Sequence, residues 1–353
     1  MKILHVAAID MLPSSGMGRI SYEWKLAFEK SGHQFQHIGS NEVGHRHALL
    51  FGYYARKYAM SNSIEADLIL VHEPLAGFFS FKNIPMVVFS HGVEERGWLI
   101  QRKFGFNKLS LKSRLLPEFI RFHSNNKGFR KCTIGLLSNA EDTQFLMEEK
   151  KLQPDKLKIF HNGCYPFPLT ENSYANSLTV LFNATWLPRK GIQLMYDVFN
   201  SLLREHSHIN LILAGTKIHE EEVRKGFVEE VQQQLTVRSS FASEDEKDLY
   251  ASARIFVMPS YFEGQSVALT QAMSMGLCPV ASSNCGQKDF IIHKTNGLLF
   301  ETGNAKDFKH KLNWLIQNPE QIALLGAKAR ESVKDLTWDK TANEIVHFCE
   351  SVL

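Results

Sequence analysis

Short apolar runs alternate along this chain with segments whose apolar side chains recur at helical spacing. In the first half the apolar runs are Ile3–Ile9, Leu68–Val71, Pro85–Phe89, Ile134–Leu137 and Ile159–Phe160. Strands of a parallel sheet are buried on both faces, which produces continuous apolar runs of this kind. The pattern therefore predicts a doubly wound α/β domain in which helices cover both faces of a parallel sheet.

The same alternation resumes in the second half, after a turn-rich segment at residues 161–168. That segment contains two prolines and an Asn-Gly pair, which are typical of a linker. The later apolar runs are Thr179–Asn183, Asn210–Ala214, Ile255–Met258 and Pro279–Ala281, and a short segment near Val237–Phe241 precedes the last two. Helical patterns extend to about Arg204 and Gln234 and cover Glu246–Ser252, Asp307–Gln317, Glu320–Leu336 and Asp339–Val352. We predict two Rossmann-like domains, 1–168 and 169–338, that face each other across a cleft.

Composition agrees with two globular domains. The chain has 353 residues, of which 44% are apolar and 22% charged. Its five cysteines are odd in number and form no C-x-x-C pair, so we expect a reducing compartment rather than a disulfide framework. The first apolar run is too short for the core of a signal peptide, and no later run is long enough to cross a bilayer. We therefore expect a cytoplasmic protein that is at most peripheral on the inner face of the membrane.

Charge is divided unevenly between the two halves. Residues 1–169 carry 22 Lys and Arg against 15 Asp and Glu, a net +7, and residues 170–353 carry 18 against 22, a net −4. Nine basic residues fall within 102–131, with one acid and five interleaved phenylalanines. Such a segment suits an anionic membrane surface, although a solvated helix pair with its phenylalanines in the core explains it equally well. We expect no nucleic acid partner, because the overall charge is only +3 and no recognition motif accompanies it.

One stretch, residues 259–282, combines several signals of a ligand site. A strand ends at Pro259, an acid beside a glycine (Glu263-Gly264) follows, an apolar helix is closed by Gly276, and another strand begins. This is the order of a βαβ unit, and its helix start can bind an anion through unpaired amides and the helix dipole. Ligands of parallel sheets lie beyond the carboxyl ends of the strands. The other residues at such ends are Gly16–Gly18, Glu73, His91 and Ser138-Asn139.

Several of these segments resemble the glycosyltransferase family 4 enzymes, which are retaining nucleotide-sugar transferases of the GT-B fold. In the second half, NATWLPRKGI (183–192), LILAG (211–215), the stretch 259–282 and NGLLF (296–300) resemble the family's donor domain. In the first half, Gly16-Met17-Gly18, SHG (90–92) and HNG (161–163) resemble its glycine loop, acceptor-side loop and linker. LTWDKTANEIV (336–346) resembles its closing segment, which implies that a terminal helix, 339–353, packs back on the first domain.

The resemblance implies a donor site around residues 263–271. Glu263 matches the first acid of the family's E-x7-E pair, whose carboxylate accepts hydrogen bonds from the sugar, and Gln271 stands at the second, ribose-binding position. Eight helical residues rise about 12 Å, on the order of the span from hexose to ribose. Gln271 would bond the ribose less strongly than an acid. The pyrophosphate would face the amides of Gly264, Gln265, Ser266 and Val267. A capping acid and a solvated glutamine are the alternative interpretation.

Three further positions complete the implied donor site. Lys190 matches the family's phosphate-binding lysine and would neutralise the leaving β-phosphate. Thr185 lies where the family has a partner arginine, and Arg189 is the residue that would compensate for it; a solvated turn charge is the alternative for Arg189. Gly215 closes the matching LILAG segment.

The first half contributes the remaining candidates. The resemblance places His91 against the donor sugar, where a neutral imidazole would bond a hydroxyl, and a structural histidine is the alternative. The Gly16–Gly18 loop offers backbone amides that phosphate or acceptor can approach closely, although an ordinary βα turn has the same glycines. Glu94 and Glu95 are candidates for acceptor contacts only.

These residues lead to the hypothesis of a retaining, metal-independent glycosyltransferase. It would move a hexose from a nucleotide sugar, with a UDP-sugar favoured, to a glycan or lipid-linked saccharide acceptor, with His91, Lys190 and Glu263 in catalysis. The sequence has no D-x-D motif and no clustered His/Asp set, so we expect neither metal nor cofactor; Lys190 and the helix amides would act on the pyrophosphate. The alternatives are a GT-B nucleotide-sugar epimerase or phosphorylase, and a non-catalytic sugar- or lipid-binding scaffold.

Overall fold

The structure is a computed structural model and describes residues 1–13, 16–44, 48–79, 81, 83–106, 115–167 and 178–353. The chain divides into two compact units. Unit 1 comprises Met1–Gly163 and Trp338–Leu353, and unit 2 comprises Cys164–Thr337. The chain therefore crosses between the units twice, at 163–164 and at 337–338. The predicted boundary at residue 168 lies outside the described residues.

Unit 1 contains a parallel sheet formed by β1 (Lys2–Val6), β2 (Gln34–Ile38), β3 (Leu68–His72), β4 (Met86–Ser90), β5 (Ile134–Leu137) and β6 (Leu157–Ile159). The strands lie in the order β2-β1-β3-β4-β5-β6, and each neighbouring pair is parallel. All five residues of β4 are buried. This burial explains the continuous apolar run there, because a central parallel strand is covered on both faces.

The helices of the first part of unit 1 connect these strands. They are α1 (Gly16–Lys30), α2 (Ser40–Val43), α3 (Ala48–Ser61), α4 (Glu94–Lys103), α5 (Leu115–Lys131) and α6 (Ala140–Lys150). Asn139, at the end of β5, caps α6 by accepting a hydrogen bond from the backbone N–H of Asp142 at 2.8 Å. A strand that ends in a capping residue turns directly into the next helix.

Unit 2 has a second parallel sheet, formed by β7 (Leu178–Asn183), β8 (Ile209–Ala214), β9 (Leu235–Arg238), β10 (Ile255–Met258), β11 (Cys278–Ser282) and β12 (Leu298–Phe300). The strands lie in the order β12-β11-β10-β7-β8-β9, again with parallel neighbours. The strands β10 and β11 are buried along their whole length. The end of β10, where the candidate site begins, is therefore at the centre of the sheet.

The helices of unit 2 are α7 (Ile192–Glu205), α8 (Glu220–Arg224), α9 (Glu246–Ala251), α10 (Val267–Ser274), α11 (Gln287–Phe290), α12 (Ala305–Gln317) and α13 (Pro319–Ser332). The last helix, α14 (Trp338–Glu350), belongs to unit 1 and packs against α1. Its buried face includes Trp338, Ile345 and Val346. Two polar contacts accompany this packing, Lys30 with Asp339 at 2.7 Å and His33 with Glu350 at 2.9 Å. Within the described ranges, no helix combines the length and apolar composition that crossing a bilayer requires.

The prediction of two doubly wound parallel sheets is confirmed. Several elements differ from the sequence predictions: β9 covers Leu235–Arg238 and not 237–241, α13 ends at Ser332 and not at Leu336, and an edge strand and a helix differ more. The edge strand β2 was not predicted, because its sequence QFQHI is polar and only its last residue is buried. The helix predicted to reach Gln234 is wrong, since α8 ends at Arg224 and a separate 3-10 turn covers Glu229–Gln234. Gly226 lies between them, where an added Cβ would come within 2.3 Å of the Tyr196 ring. The chain packs onto α7 at this glycine and cannot continue as one helix.

Candidate functional site

The loop after β10, residues 259–266, is buried and tightly enclosed by backbone. A Cβ added to Gly191 would lie 2.2 Å from the Pro259 carbonyl oxygen, and one added to Gly286 would lie 1.9 Å from that of Gly264. Real Cβ atoms do not approach oxygen so closely, so both neighbours of the loop must be glycine. The sequence predicted Gly264 as a site residue but gave no role to Gly191 or Gly286.

Side chains at the end of β11 hold the same loop from the other side. The Ser282 hydroxyl donates to the Ser260 carbonyl, and Asn284 Nδ2 donates to the Tyr261 carbonyl at 2.9 Å. Gln287 Nε2 in turn donates to Ser282 Oγ at 3.2 Å. These residues were missed from the sequence, although applying the strand-end rule to β11 would have found them.

An ion cluster lies at the centre of this loop. Lys190 Nζ contacts the Glu263 carboxylate, and Arg189 Nη1 lies 3.8 Å from the same carboxylate. Burial acts to raise the pKa of Glu263, but Lys190 and Arg189 outweigh it and hold the pKa below its usual range. Burial lowers the pKa of Lys190, and Glu263 opposes that shift. The two predicted residues Lys190 and Glu263 are thus brought together, with Arg189 as a more exposed third member.

The helix α10 begins at Val267, four residues after Glu263. Ser266 is its N-cap, and its side chain accepts a hydrogen bond from the backbone N–H of Leu269 at 3.3 Å. The amides that precede Leu269 lie at the positive end of the helix dipole, beside the ion cluster. Gly264, Gln265, Ser266 and Val267 therefore occupy the place where an anion is stabilised at a helix start.

Gln271 lies further along α10 and is fully buried. Its Oε1 accepts a hydrogen bond from the backbone N–H of Tyr165 at 2.8 Å, and its Nε2 donates to the Tyr165 carbonyl at 2.9 Å. The same Nε2 donates to Ser274 Oγ at 3.0 Å. The structure therefore gives the Gln271 amide partners within the protein, whereas the sequence predicted contact with a ribose.

Two predicted donor residues lie at the ends of β7 and β8. Gly215 has a φ of +65°, and a Cβ there would come within 2.6 Å of Asn183 Oδ1, so glycine is required. Thr185 follows β7 in a segment that is tied to the next strand end, because Trp186 N–H donates to the Thr216 carbonyl at 2.9 Å. Both residues belong to the strand-end edge of unit 2, the edge from which Lys190 also comes.

In unit 1, His91 follows β4 and lies among aromatic rings. Its ring centroid is 6.0 Å from that of Trp24, 5.6 Å from that of His72 and 5.7 Å from that of Phe160. Both ring nitrogens are buried and have no hydrogen-bond partner in the part of the chain that the structure describes. Burial lowers the pKa of His91 to about 3, so the imidazole is neutral. A neutral imidazole carries one donor and one acceptor, and among the described residues neither has a partner here.

Two buried carboxylates hold the loop that carries His91. Glu73 accepts hydrogen bonds from Ser90 Oγ at 2.6 Å and from the Glu94 backbone N–H at 3.2 Å. Asp142 accepts from the Val93 backbone N–H at 3.0 Å. Burial raises the pKa of Glu73 well above its ordinary value, with the Glu94 carboxylate adding to the effect. Gly92 has a φ of +125°, which only glycine adopts readily.

The two acids predicted to contact an acceptor are engaged by neighbouring helices. Glu94 accepts a hydrogen bond from Asn125 Nδ2 at 3.0 Å and lies 3.3 Å from Arg121. Glu95 accepts one from Asn126 Nδ2, also at 3.0 Å, and contacts Lys150 at 2.5 Å. Both carboxylates therefore anchor the first turn of α4, and acceptor contact by them stays a prediction.

The glycine loop of unit 1 opens α1. Gly16 is the first residue of the helix, Met17 is exposed and Gly18 is buried. Arg19 Nε donates to the Pro13 carbonyl at 2.7 Å and so fixes the approach of the chain. Nothing within 4 Å would meet a Cβ on Gly16, so this glycine leaves open space beside the helix start.

The basic segment 102–131 lies partly outside the described residues, which exclude 107–114 here. Two of its phenylalanines, Phe122 and Phe129, are buried in unit 1. Lys127, Arg130 and Lys131 are exposed. The core interpretation therefore holds for these two phenylalanines, and exposed positive charge remains on α5 for an anionic surface.

Comparisons with known proteins bear on both units. The model of a family described as Glycosyl transferases group 1 matches residues 170–332, which lie within unit 2 and are 163 of the 353 residues. An uncharacterized glycosyltransferase of Haemophilus influenzae is 27% identical over 210 residues, which cover 59% of this chain and 58% of the relative.

A second relative matches over a longer stretch. The GDP-mannose:cellobiosyl-diphosphopolyprenol alpha-mannosyltransferase of Xanthomonas campestris is 24% identical over 268 residues, which cover 75% of this chain and 62% of the relative. The chain thus spans about three fifths of the length of these two relatives.

The solved structure of Anabaena HepE in complex with UDP and glucose is similar along the whole chain. The TM-score is 0.75 at 15% identity, and the match covers 100% of both chains. The two parallel-sheet units therefore have the GT-B fold, as the sequence resemblance implied.

Proposed function

We propose that this protein is a retaining glycosyltransferase that moves a hexose from a nucleotide sugar to a glycan or lipid-linked saccharide acceptor, in polysaccharide or glycolipid biosynthesis. The observation that carries the proposal is the buried Lys190–Glu263 pair at the start of α10. It lies inside the segment that matches the group 1 glycosyltransferase model.

The donor diphosphate would bind at the cationic side of this cluster. Lys190 and Arg189 against Glu263 leave one positive charge beside the amides of the first turn of α10. Positive charge and helix amides together stabilise a pyrophosphate. When a donor binds, Lys190 would turn toward the phosphate, and the Glu263 carboxylate would accept hydrogen bonds from sugar hydroxyls instead of from Lys190.

We propose a front-face transfer step. The bond between the anomeric carbon and the leaving phosphate oxygen breaks, and a bond from the acceptor hydroxyl oxygen forms on the same face of the sugar. The hydroxyl proton passes to the leaving phosphate, so the products are a glycoside and a nucleoside diphosphate. Lys190 stabilises the charge that develops on the phosphate. His91, neutral and without a partner among the described residues, would bond a hydroxyl of the sugar.

The proposed nucleotide, acceptor, location and independence of metal each rest on a separate argument. UDP is the favoured nucleotide because HepE was solved with UDP and glucose, and GDP is the competitor because the Xanthomonas relative is named for GDP-mannose. A lipid-linked acceptor agrees with the exposed basic residues of α5 and with the diphosphopolyprenol in that relative's name. We place the protein in the cytoplasm, peripheral to the membrane. No metal is assigned a role, since Lys190, Arg189 and the helix amides supply the positive charge at the phosphate.

Calorimetric titration with nucleotides in the presence of EDTA tests the proposal. We expect UDP and one UDP-sugar to bind, and the Glu263→Ala variant to keep UDP binding while losing affinity for the sugar. Absence of heat with UDP, GDP and their sugars would overturn the proposal. Incubation of the bound sugar with membrane lipids then separates the alternatives: a transferase forms a glycolipid, an epimerase changes the sugar without acceptor, and a scaffold releases no free nucleotide.

A further inference from the structure

The side-chain amide of Gln271 in α10 forms hydrogen bonds with the backbone of another segment. It bonds both the N–H and the C=O of Tyr165, at 2.8 and 2.9 Å. This is the pairing that a neighbouring β-strand would offer to an extended residue. Because Tyr165 is 106 positions away in sequence, the side chain joins two parts of unit 2 that are distant along the chain.

An amide of this length satisfies every part of the contact, whereas an ionised carboxylate does not. Nε2 must donate to the Tyr165 carbonyl, and a carboxylate has no proton to donate. The second Nε2 proton goes to Ser274 Oγ, which donates in turn to the backbone carbonyl of Gln271 at 2.8 Å. Gln271 is fully buried, so an unpaired carbonyl or carboxylate at this position would carry the full cost of desolvation.

Tyr165 lies just inside unit 2, where the chain enters from unit 1. The preceding residue, Cys164, forms an isolated bridge with Thr337, the last residue before the chain leaves the unit. The backbone N–H of Cys164 also donates to the Leu336 carbonyl at 2.8 Å. The entering and leaving segments are therefore joined to each other, and Gln271 joins them to the helix that begins at the ion cluster.

We infer that Gln271 is a positioning residue, which clamps the segment at Tyr165 to α10 and so fixes the helix to both crossings of the chain. The clamp itself stands on geometry alone, and only its effect on nucleotide affinity rests on the proposed function. In this role Gln271 is not a ligand of the ribose, and glutamine rather than glutamate is the residue that the position requires.

The substitution Gln271→Glu separates the two roles because they predict opposite signs. As a clamp, the variant loses a donor in a buried site, so the thermal midpoint falls by roughly 5 °C. Amide hydrogen exchange in the peptide 164–167 then becomes at least tenfold faster without nucleotide, and UDP binds with equal or lower affinity. As a ribose ligand, the variant would gain a charge-assisted bond. UDP would then bind several-fold more tightly with the midpoint and exchange unchanged, which would overturn the inference.

Two control variants separate loss of the Gln271–Tyr165 contact from the effects of an added negative charge and of the Tyr165 side chain. Gln233→Glu introduces the same charge at an exposed position of unit 2 and should change neither the midpoint nor the exchange at 164–167. Tyr165→Ala removes the side chain but keeps the N–H and C=O that Gln271 contacts, so exchange at residue 165 should stay slow. Rapid exchange at this amide in the wild-type protein would overturn the clamp directly.

The design also covers failure of the main variant or of the proposed function. If Gln271→Glu does not fold, the two roles can still be distinguished in the wild-type protein. Amide hydrogen exchange at Tyr165 is then measured with and without UDP. Protection that UDP leaves unchanged supports the clamp, and protection lost on UDP binding shows that Gln271 moves to the nucleotide. If the wild-type protein binds no nucleotide, the proposed function fails, while the midpoint and the exchange without ligand still test the clamp.

Discussion

The buried polar groups of the two candidate sites differ in charge and in hydrogen bonding. In unit 1, His91 is neutral, is surrounded by aromatic rings and has no hydrogen-bond partner among the described residues. In unit 2, Glu263 is charged and already paired with Lys190. The first group is ready for a ligand but sensitive to protonation. The second is already paired, so a ligand that contacts Glu263 would have to replace Lys190 as its partner.

The loops that support these groups differ in the same way. The His91 loop is held by the buried carboxylates of Glu73 and Asp142, which bond its backbone amides. The Glu263 loop is held by Asn284 and Ser282, which donate to its carbonyls, and by glycines that admit close backbone contact. Acids therefore support the neutral site, and neutral residues support the charged one.

The largest expected effect comes from acidification, which protonates the buried histidines of the neutral pocket. His72 and His91 have pKa values of about 4 and about 3, whereas the unfolded chain binds a proton near the ordinary value of about 6.5. Stability is therefore full above pH 6.5 and falls below it. Between pH 6.5 and 4.5 each histidine lowers the free energy of unfolding by roughly 2.5 kcal/mol.

Urea denaturation at the two pH values measures this loss. The variant His72→Phe keeps an aromatic ring beside Phe89, with which His72 stacks at 5.2 Å. We expect it to lose about 2.5 kcal/mol less than the wild-type protein over the interval, since one titrating group is gone. Equal losses in the two proteins would contradict the neutral state of the pocket.

The next largest effect is expected from Lys190→Met, which removes a charge from the paired site. The turnover number should fall about 10²–10³-fold, because preorganised positive charge at the leaving phosphate is lost. The free energy of unfolding should also fall, by about 3 kcal/mol, since Glu263 loses its nearest cation in a buried site. Steady-state kinetics at saturating donor and urea denaturation give the two quantities.

The double variant Lys190→Met/Glu263→Gln separates activity from stability. With both charges removed, we expect most of the lost stability to return while transfer stays as slow as in the single variant. If transfer recovered in the double variant, Lys190 would serve only to neutralise Glu263, and its role at the phosphate would be excluded.

A smaller effect is expected at Glu73, which tests how the neutral pocket is supported. Glu73→Ala leaves Ser90 and the Glu94 amide without a buried acceptor and should lower the free energy of unfolding by about 2–3 kcal/mol. Glu73→Gln should stay within about 1 kcal/mol of the wild-type protein, because the raised pKa of Glu73 already favours its uncharged form. A glutamine variant as unstable as the alanine variant would show that the ionised carboxylate is needed.

The smallest effect is expected at Asn284, which supports the charged loop. Asn284→Ala removes the hydrogen bond to the Tyr261 carbonyl, at a cost of about 1 kcal/mol. The donor KM should rise about fivefold with little change in the turnover number, because the loop is less well positioned before binding. The matched control is Thr302→Val, which removes another partner of Asn284, 3.0 Å away, and leaves the loop carbonyls bonded. An equal effect of both variants would mean that loop support is not the cause.

Much of the fold and part of the site could be predicted from the sequence, for physical reasons. Buried parallel strands are continuous apolar runs, and this property identified β10 and β11 but not the polar edge strand β2. The rule that strand ends form the site pointed to Glu73 and His91 from their positions alone. The pairing of Lys190 with Glu263 joins residues 73 positions apart, and the family resemblance gave each of them separately.

The role of Gln271 could not be predicted from the sequence. Its partner is the backbone of Tyr165. Any residue at position 165 other than proline would offer the same N–H and C=O, so the sequence there gives no sign of the contact. The same holds for Gly191 and Gly286, whose neighbours are carbonyl oxygens. When contacts with the backbone of a distant segment determine which residue fits at a position, only the folded structure shows the reason.

The contact between Gln271 and Tyr165 also decides where this protein can be recombined with its relatives. An exchange of the second half at residue 168, the boundary suggested by the turn-rich segment 161–168, would take Gln271 from one parent and Tyr165 from the other. Junctions at 163–164 and 337–338 keep Cys164, Tyr165, Gln271 and Leu336 together. Chimaeras cut there inherit an intact set of contacts whatever residue the other parent carries at position 271.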